Sequence, residues 1–271
     1  MKNKIGWCSM TWNPVWGCLN HCPYCYARKI AKRFANVIAR QEHNHRYWGN
    51  TKDRYMETEK REILVINKSL IKRNENEIKT FTPTFIYSQF HKKLPKKPQK
   101  IFVGSMSEIY YWKDEWLEMV LEKTKLCPQH IFQFLTRYPE VYDRYIFPKN
   151  CWLGVTVTKE NDINNEHFKR FRTQYIVFLL DINTHNIDNK RFISFEPLLE
   201  NINTDFLNSS SINWVIIGAE TGNRKGKVIP KIEWIDKIVI YCRKNNIPVY
   251  LKDSLKGICP VEIKEFPKTE L

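Results

Sequence analysis

The chain has 271 residues, 42% of them hydrophobic and 14% aromatic, with a formal net charge of +15. That composition supports a large buried core and excludes a disordered or low-complexity chain. The eight cysteines are too sparse for a disulfide scaffold, and no apolar run is long enough for a secretory leader or a bilayer crossing, so a cytoplasmic protein with free thiols is expected.

The charge is unevenly placed. Residues 1–100 hold 21 Lys and Arg against 7 Asp and Glu, while the other 171 residues hold 23 against 22. A polyanion partner is the natural reading, nucleic acid before an anionic membrane, because no amphipathic anchor or lipidation signal is present. A solvated basic insertion is the alternative.

In chain order, SMTWNPVWG (9–17) reads as a first strand, and the segment from Tyr26 onward as a helix. Ala27, Ile30, Ala31, Phe34 and Ile38 fall on one apolar face of that helix, with Arg28, Lys29, Lys32 and Arg33 on the others. Residues 41–82 are polar and charge-rich and read as an insertion or small helical subdomain on an otherwise single domain spanning 1–271. PTFIYSQF (83–90) is a weak early strand.

Strand-like runs followed by helical or polar segments then recur. KIFVGSMSE (100–108) precedes the helix EWLEMVLEKTK (115–125), and HIFQFLTR (130–137) precedes YPEVYDRYI. CWLGVTVTKE (151–160) leads into a polar segment containing HFKRF. KRFISFEPLL (190–199) follows, then INWVIIGAETG (212–222), the helix IEWIDKIVIYCRK (232–244) and a last strand in PVYLKDSL (248–255). Continuous apolar strands alternating with helices predict an α/β fold with parallel strands covered on both faces. Six to eight such units favour a partial or full (β/α) barrel over a doubly wound sheet, and no G-x-G-x-x-G follows the first strand.

Each apolar run ends in polar groups: Ser105, Ser107 and Glu108; Thr136 and Arg137; Thr156 and Thr158; Ser194 and Glu196; Glu220 and Thr221; Lys252 and Asp253. In parallel β/α architectures the C-terminal strand ends form the working face. Glu196 and Lys252 stand out because a charge beside an apolar strand has to be paired, coordinated or used. They are candidates for proton transfer or anion binding, and a buried ion pair joining strand ends is the competing reading.

Cys18, Cys22 and Cys25 lie within eight residues in WGCLNHCPYCYARK. A structural zinc site wants four ligands, usually in two pairs. His21 or a distant cysteine would have to complete it, and His21 directly precedes Cys22. A disulfide in this loop does not suit a reducing compartment. A cubane iron–sulfur cluster held by three thiolates, with one iron left open, is the remaining candidate.

CLNHCPYCY resembles the signature of the radical S-adenosylmethionine (radical SAM) superfamily, C-x3-C-x2-C with an aromatic residue, Tyr24, before the last cysteine. More narrowly, the chain is similar from about residue 11 to residue 255 to a phage- and prophage-associated family. TWNPVWGC, IFVGSMSE, FQFLTR, WLGVTV, FISFEPLL, WVIIGAETG and VYLKDS carry that similarity.

The resemblance implies a radical SAM type of (β/α) barrel with a [4Fe-4S] cluster on Cys18, Cys22 and Cys25. S-adenosylmethionine would chelate the open iron, and a 5′-deoxyadenosyl radical would abstract hydrogen from the substrate. It implies an external electron donor of the flavodoxin or ferredoxin type. Superfamily members usually hold the methionine amino group with a Gly-Gly-Glu-like run. GSMSE departs from that pattern, which leaves Ser105, Ser107 and Glu108 as candidate cofactor contacts, with Tyr24 near the adenine and Gly218 and Glu220 of GAETG near the ribose or methionine.

The charged N-terminal third, including Lys92, Lys93, Lys96, Lys97 and Lys100, makes a nucleobase in DNA or RNA the expected substrate. Trp7, Trp12, Trp16, Tyr24 and Tyr26 are candidate stacking platforms, with core packing as the competing role. A peptide or small-molecule substrate is the alternative within the enzyme class. A zinc-stabilised nucleic-acid-binding protein is the alternative outside it.

Overall fold

Apolar β-rich runs and helices alternate along the chain, and a computed structural model describes residues 5–48, 60–159, 186, 188–207 and 212–268. The strands are β1 (Met10–Trp12), β2 (Val15–Trp16), β3 (Thr84–Phe85), β4 (Lys100–Val103), β5 (Ile131–Thr136), β6 (Cys151–Thr156), β7 (Arg191–Phe195), β8 (Trp214–Ile217) and β9 (Val249–Leu251). The helices are α1 (Tyr26–Trp48), α2 (Lys60–Thr80), the single turn α3 (Tyr87–Phe90), α4 (Asp114–Lys125) and α5 (Ile232–Lys244). A seven-stranded sheet runs in the order β1-β4-β5-β6-β7-β8-β9, and β5 through β9 pair in parallel. The fold is α/β.

The chain divides into two compact units. The first comprises Met1–Met10, Lys97–Phe102 and Leu121–Leu271; the second comprises Thr11–Lys96 and Val103–Val120.

In the first unit, strands β5 to β9 are nearly all buried, as continuous apolar runs require when both sheet faces are covered. One face carries an aromatic-rich cluster of Trp7, Phe102, Ile131, Trp152, Phe192, Trp214, Ile216 and Tyr250. Trp214 sits at its middle, with ring centroids of Phe192 and Trp152 at 5.6 and 5.8 Å, and its indole N–H donates to the Glu265 carbonyl at 2.9 Å. Trp7 is buried in this cluster, so it presents no face to a base.

In the second unit, α1 packs on α2. Ala27, Ala31 and Ala35 let the helix approach closely, and with Ile38 they bury against Ile78, Phe81, Ile86 and Met106. Ile30 is half-buried and Phe34 is exposed, so the apolar stripe is narrower than the spacing predicts. PTFIYSQF is a two-residue strand paired antiparallel to β2, then the turn α3. The buried Glu42 carboxylate accepts the N–H groups of Tyr87 and Ser88 at the start of that turn, at 2.6 and 2.8 Å. The expected insertion at 41–82 comprises the end of α1 and the helix α2, with residues 49–59 outside the described set. The HFKRF segment is also outside it.

Candidate functional site

The cysteine loop leaves β2 through Gly17, whose φ of 115° lies in the region that favours glycine. A Cβ there would stand 2.2 Å from the Thr82 carbonyl oxygen. The Gly17 N–H donates to the Met106 carbonyl at 2.9 Å, Gly17 bridges Ser107, and the Cys18 N–H donates to the Phe81 carbonyl at 2.9 Å. The loop is therefore fixed at its first residues against both the GSMSE run and the end of α2.

Cys18, Cys22 and Cys25 are free thiols, all half-buried. The Asn20 N–H points at Cys18 Sγ (3.4 Å) and the Arg28 N–H at Cys25 Sγ (3.5 Å). Burial pushes the Cys18 thiol up to about 12, the Asn20 hydrogen bond works against this, and the like charges of Glu108, Cys22 and Cys25 add to the rise. In a metal-free protein that thiol stays protonated. A bound cation reverses the balance, because it stabilises the thiolate that burial penalises.

Arg28, read from the sequence as part of a surface basic face, is half-buried. Its guanidinium donates to the carbonyls of Cys18 and Thr80 at 3.3 and 3.2 Å and lies 5.0 Å from the centroid of the Phe81 ring. It ties the loop to the end of α2. On the other side, the Tyr111 hydroxyl donates to Asn20 Oδ1 at 2.8 Å.

The GSMSE run is organised by Asn13. Its Oδ1 accepts from the Ser105 hydroxyl at 3.0 Å and the Met106 N–H at 3.2 Å. Ser107 Oγ accepts the Trp112 indole N–H at 3.1 Å. Glu108 is buried and accepts the Tyr110 N–H at 3.4 Å. Tyr24 is half-buried, and the exposed Tyr26 donates its hydroxyl to the Ser105 carbonyl at 3.0 Å.

The remaining candidates lie at strand ends in the first unit. Glu196 follows β7 and Lys252 follows β9, and the two form an ion pair. Gly218, just past β8, lies beneath it: a Cβ would stand 3.0 Å from Lys252 Cδ and 3.3 Å from Glu196 Cγ. Glu220 is buried with its carboxylate held in a two-point contact by Arg224, at 2.6 and 2.8 Å. That hydrogen bonding, opposed by burial, leaves the carboxyl below its ordinary range.

Residues 2–256 match the family DUF5131, described as a protein of unknown function. The chain belongs to the DUF5131 family. No curated protein and no solved structure matches it.

In this DUF5131 chain the second unit brings the three cysteines together with Ser107 and Glu108. The first unit brings Glu196, Lys252 and Gly218 together, and leaves Glu220 with Arg224. Sequence reading did not single out Asn13, Asn20, Tyr111 or Arg224. Arg224 lies four residues from Glu220, but outside a helix that spacing gives no signal; the side-chain contacts of the others span more than 90 residues. Trp12 is buried, donating its indole N–H to the Gln89 carbonyl at 2.9 Å, so it is core and not a stacking platform.

The donor chemistry of the cysteine loop fits a thiophilic metal group: three thiols on one short loop, two of them receiving backbone N–H groups. Among the described residues, no group of three or more His, Cys, Asp or Glu side chains is arranged to hold a metal ion. Also among the described residues, no helix is long and apolar enough to cross a membrane.

Proposed function

We propose that this DUF5131 protein is a radical SAM enzyme that acts on a nucleobase of DNA or RNA in the cytoplasm, and that its sheet and helices form a partial (β/α) barrel of the radical SAM type. The observation that carries the reading is the Cys18–Cys25 loop, with three thiols in C-x3-C-x2-C spacing and N–H groups of Asn20 and Arg28 directed at two of the sulfurs. Cys18, Cys22 and Cys25 would hold a [4Fe-4S] cluster, with Tyr24, Ser105, Ser107 and Glu108 lining S-adenosylmethionine. Such a cluster with S-adenosylmethionine, when bound, would supply one-electron reductive cleavage of the cofactor and, through it, hydrogen abstraction from a substrate carbon.

The chain's own residues have narrower tasks. Asn20 and Arg28 place dipoles at the sulfurs and favour their anionic form. Arg28 fixes the loop so that ligand binding costs little ordering. Glu196 and Lys252 handle a substrate proton or anion at the ends of β7 and β9. The exposed Lys92, Lys93, Lys96 and Lys97 attract phosphates. Electrons come from an external flavodoxin- or ferredoxin-type donor.

The test is anaerobic reconstitution with iron and sulfide, then reduction in the presence of S-adenosylmethionine and short DNA or RNA. The expected product is 5′-deoxyadenosine. Reconstituted protein that never forms it contradicts the reading. Salt-dependent binding to DNA or RNA tests the substrate class separately.

A further inference from the structure

Helix α1 buries Ala27, Ala31, Ala35 and Ile38 in the core of the second unit and leaves Lys29, Lys32, Arg33 and Arg40 exposed. Among the described residues, no carboxylate pairs with any of these four cations. The sequence of α1 holds one acidic residue, Glu42. Its carboxylate is buried and already accepts the N–H groups of Tyr87 and Ser88. The neighbouring α2 is built differently: Glu77 pairs with Arg73 at 3.3 Å and Glu75 pairs with Lys79, each across one helical turn.

The spacing on α1 sorts its outer residues into two parallel stripes. Lys29, Arg33 and Arg40 stand above one another along the helix, and Tyr26, Ile30 and Val37 repeat the same intervals beside them. At 1.5 Å per residue the basic stripe is about 16 Å long. Tyr26 and Val37 are exposed, as is Phe34 at the edge of the apolar stripe, while Ile30 is half-buried against the core. The Tyr26 hydroxyl donates to the Ser105 carbonyl at 3.0 Å. That bond holds an exposed ring at the start of the helix, in the residue directly after Cys25.

Folding does not ask for this arrangement. Like charges three and four residues apart oppose a helix, and Lys29 has such neighbours in both Lys32 and Arg33. A surface that serves solubility alone mixes both signs. The repulsion is relieved by a polyanion laid along the stripe. A line of cations beside an aromatic and apolar line is the pattern of single-strand binders, in which the cations follow the backbone and the rings stack on bases. The fixed Tyr26 ring favours a nucleic acid strand over an acidic protein, because it offers a preordered face to a base.

We propose that the outer face of α1 is a docking track for a single strand of DNA or RNA, with Lys29, Arg33 and Arg40 on its phosphates and the Tyr26 ring stacked on a base. This rests on the nucleic-acid reading above and adds the surface that holds the strand. The track ends at the cysteine loop, since Tyr26 follows Cys25 in the chain.

The experiment is fluorescence anisotropy of labelled mixed-sequence single-stranded DNA and RNA with the full-length, metal-free chain, repeated across a range of salt concentrations. Three chains are compared: wild type, the α1 triple variant Lys29→Gln, Arg33→Gln, Arg40→Gln, and a control triple variant Lys225→Gln, Lys227→Gln, Lys244→Gln. The control removes the same charge from exposed sites in the first unit. Glutamine suits a helix, so the α1 variant should fold, and its melting temperature reports this. The expected result is wild-type binding of DNA, RNA or both, weakened about 10-fold or more in the α1 variant, with a salt slope shallower by about 2. The control should stay near wild type. Tyr26→Leu should weaken binding about 10-fold with the slope unchanged, and Tyr26→Phe, which keeps the ring, should not. The proposal is overturned if folded α1 variant binds as wild type does, or if the control loses as much, which would make the effect one of net charge. It is also overturned if Tyr26→Leu binds like wild type, or if polyglutamate competes as well as the oligonucleotide, which would point to an acidic protein. Wild type that binds no strand at low salt overturns both this proposal and the nucleic-acid reading. Wild-type binding that ignores α1 overturns this proposal alone. Iron and S-adenosylmethionine are absent throughout, so neither outcome touches the cysteine-loop reading.

Discussion

Lys252 and Glu196 form an ion pair across the end of β8, over the bare Cα of Gly218. The Lys252 side chain is 11% exposed and that of Glu196 25%, so the pair is largely removed from solvent. The glycine is explained by the contact, since a larger residue would push the pair away from β8.

Removing one partner exposes the cost of the other. Glu196→Ala leaves the Lys252 ammonium without its carboxylate and is expected to lower stability by about 2 kcal/mol, less than for a fully buried pair. Gly218→Ala meets only side-chain atoms and should cost about 1 kcal/mol. Urea denaturation measures both. An equal, negligible effect of the two would mean that the pair does not form.

Gly17→Ala is expected to be the most damaging single change in the second unit. The new Cβ would meet the backbone of Thr82 at 2.2 Å, at a φ of 115°. Neither the backbone nor the dihedral can give cheaply, so a loss of about 3 kcal/mol or more is expected. Thermal unfolding reads it. An unchanged melting temperature would mean that the loop is not anchored as described.

The Glu220–Arg224 contact gives a pH prediction. Arg224 holds the Glu220 carboxyl below its ordinary value of 4.5. The contribution to stability is therefore present above pH 4.5 and lost as pH falls through the lower folded value. Arg224→Met should destabilise the protein at pH 7 and by less at pH 3. Denaturation at the two pH values checks the difference, and a cost that does not change with pH contradicts it.

Two buried thiols act at the other end of the pH scale. Burial pushes both Cys151 and Cys242 up to about 12 from an ordinary 9. The folded state keeps these thiols neutral, so their stabilising contribution is complete below pH 9. It is lost as pH rises toward 12, at about 1.4 kcal/mol per pH unit for each. Cys151→Ala with Cys242→Ala should flatten the alkaline limb of the stability curve. Mass spectrometry should find both thiols unlabelled by iodoacetamide in the native protein at pH 8.

Much of the fold was legible because apolar runs mark the buried strands directly. IEWIDKIVIYCRK became a helix over the residues expected, with Ile235, Ile238 and Cys242 buried at helical spacing. YPEVYDRYI yielded only a short 3-10 segment, Pro139–Asp143, with proline at its start. Phe34 fell at helical spacing yet is 44% exposed, because the alanines of α1 already fill the contact with Ile78 and Phe81. In the candidate site, the cysteines and the Glu196–Lys252 pair could be read from residue type and setting. Asn13, the Asn20 side chain and Tyr111 could not, since their partners are distant in sequence.

The most direct test of the central claim is iron analysis of anaerobically reconstituted protein, wild type beside Cys18→Ala, Cys22→Ala and Cys25→Ala. The account predicts about four iron and four sulfide per wild-type chain, with the absorbance of a [4Fe-4S] cluster, and near-complete loss of both in each variant. Full iron loading in any of the three variants, or a wild-type loop that takes zinc and no iron, would contradict it.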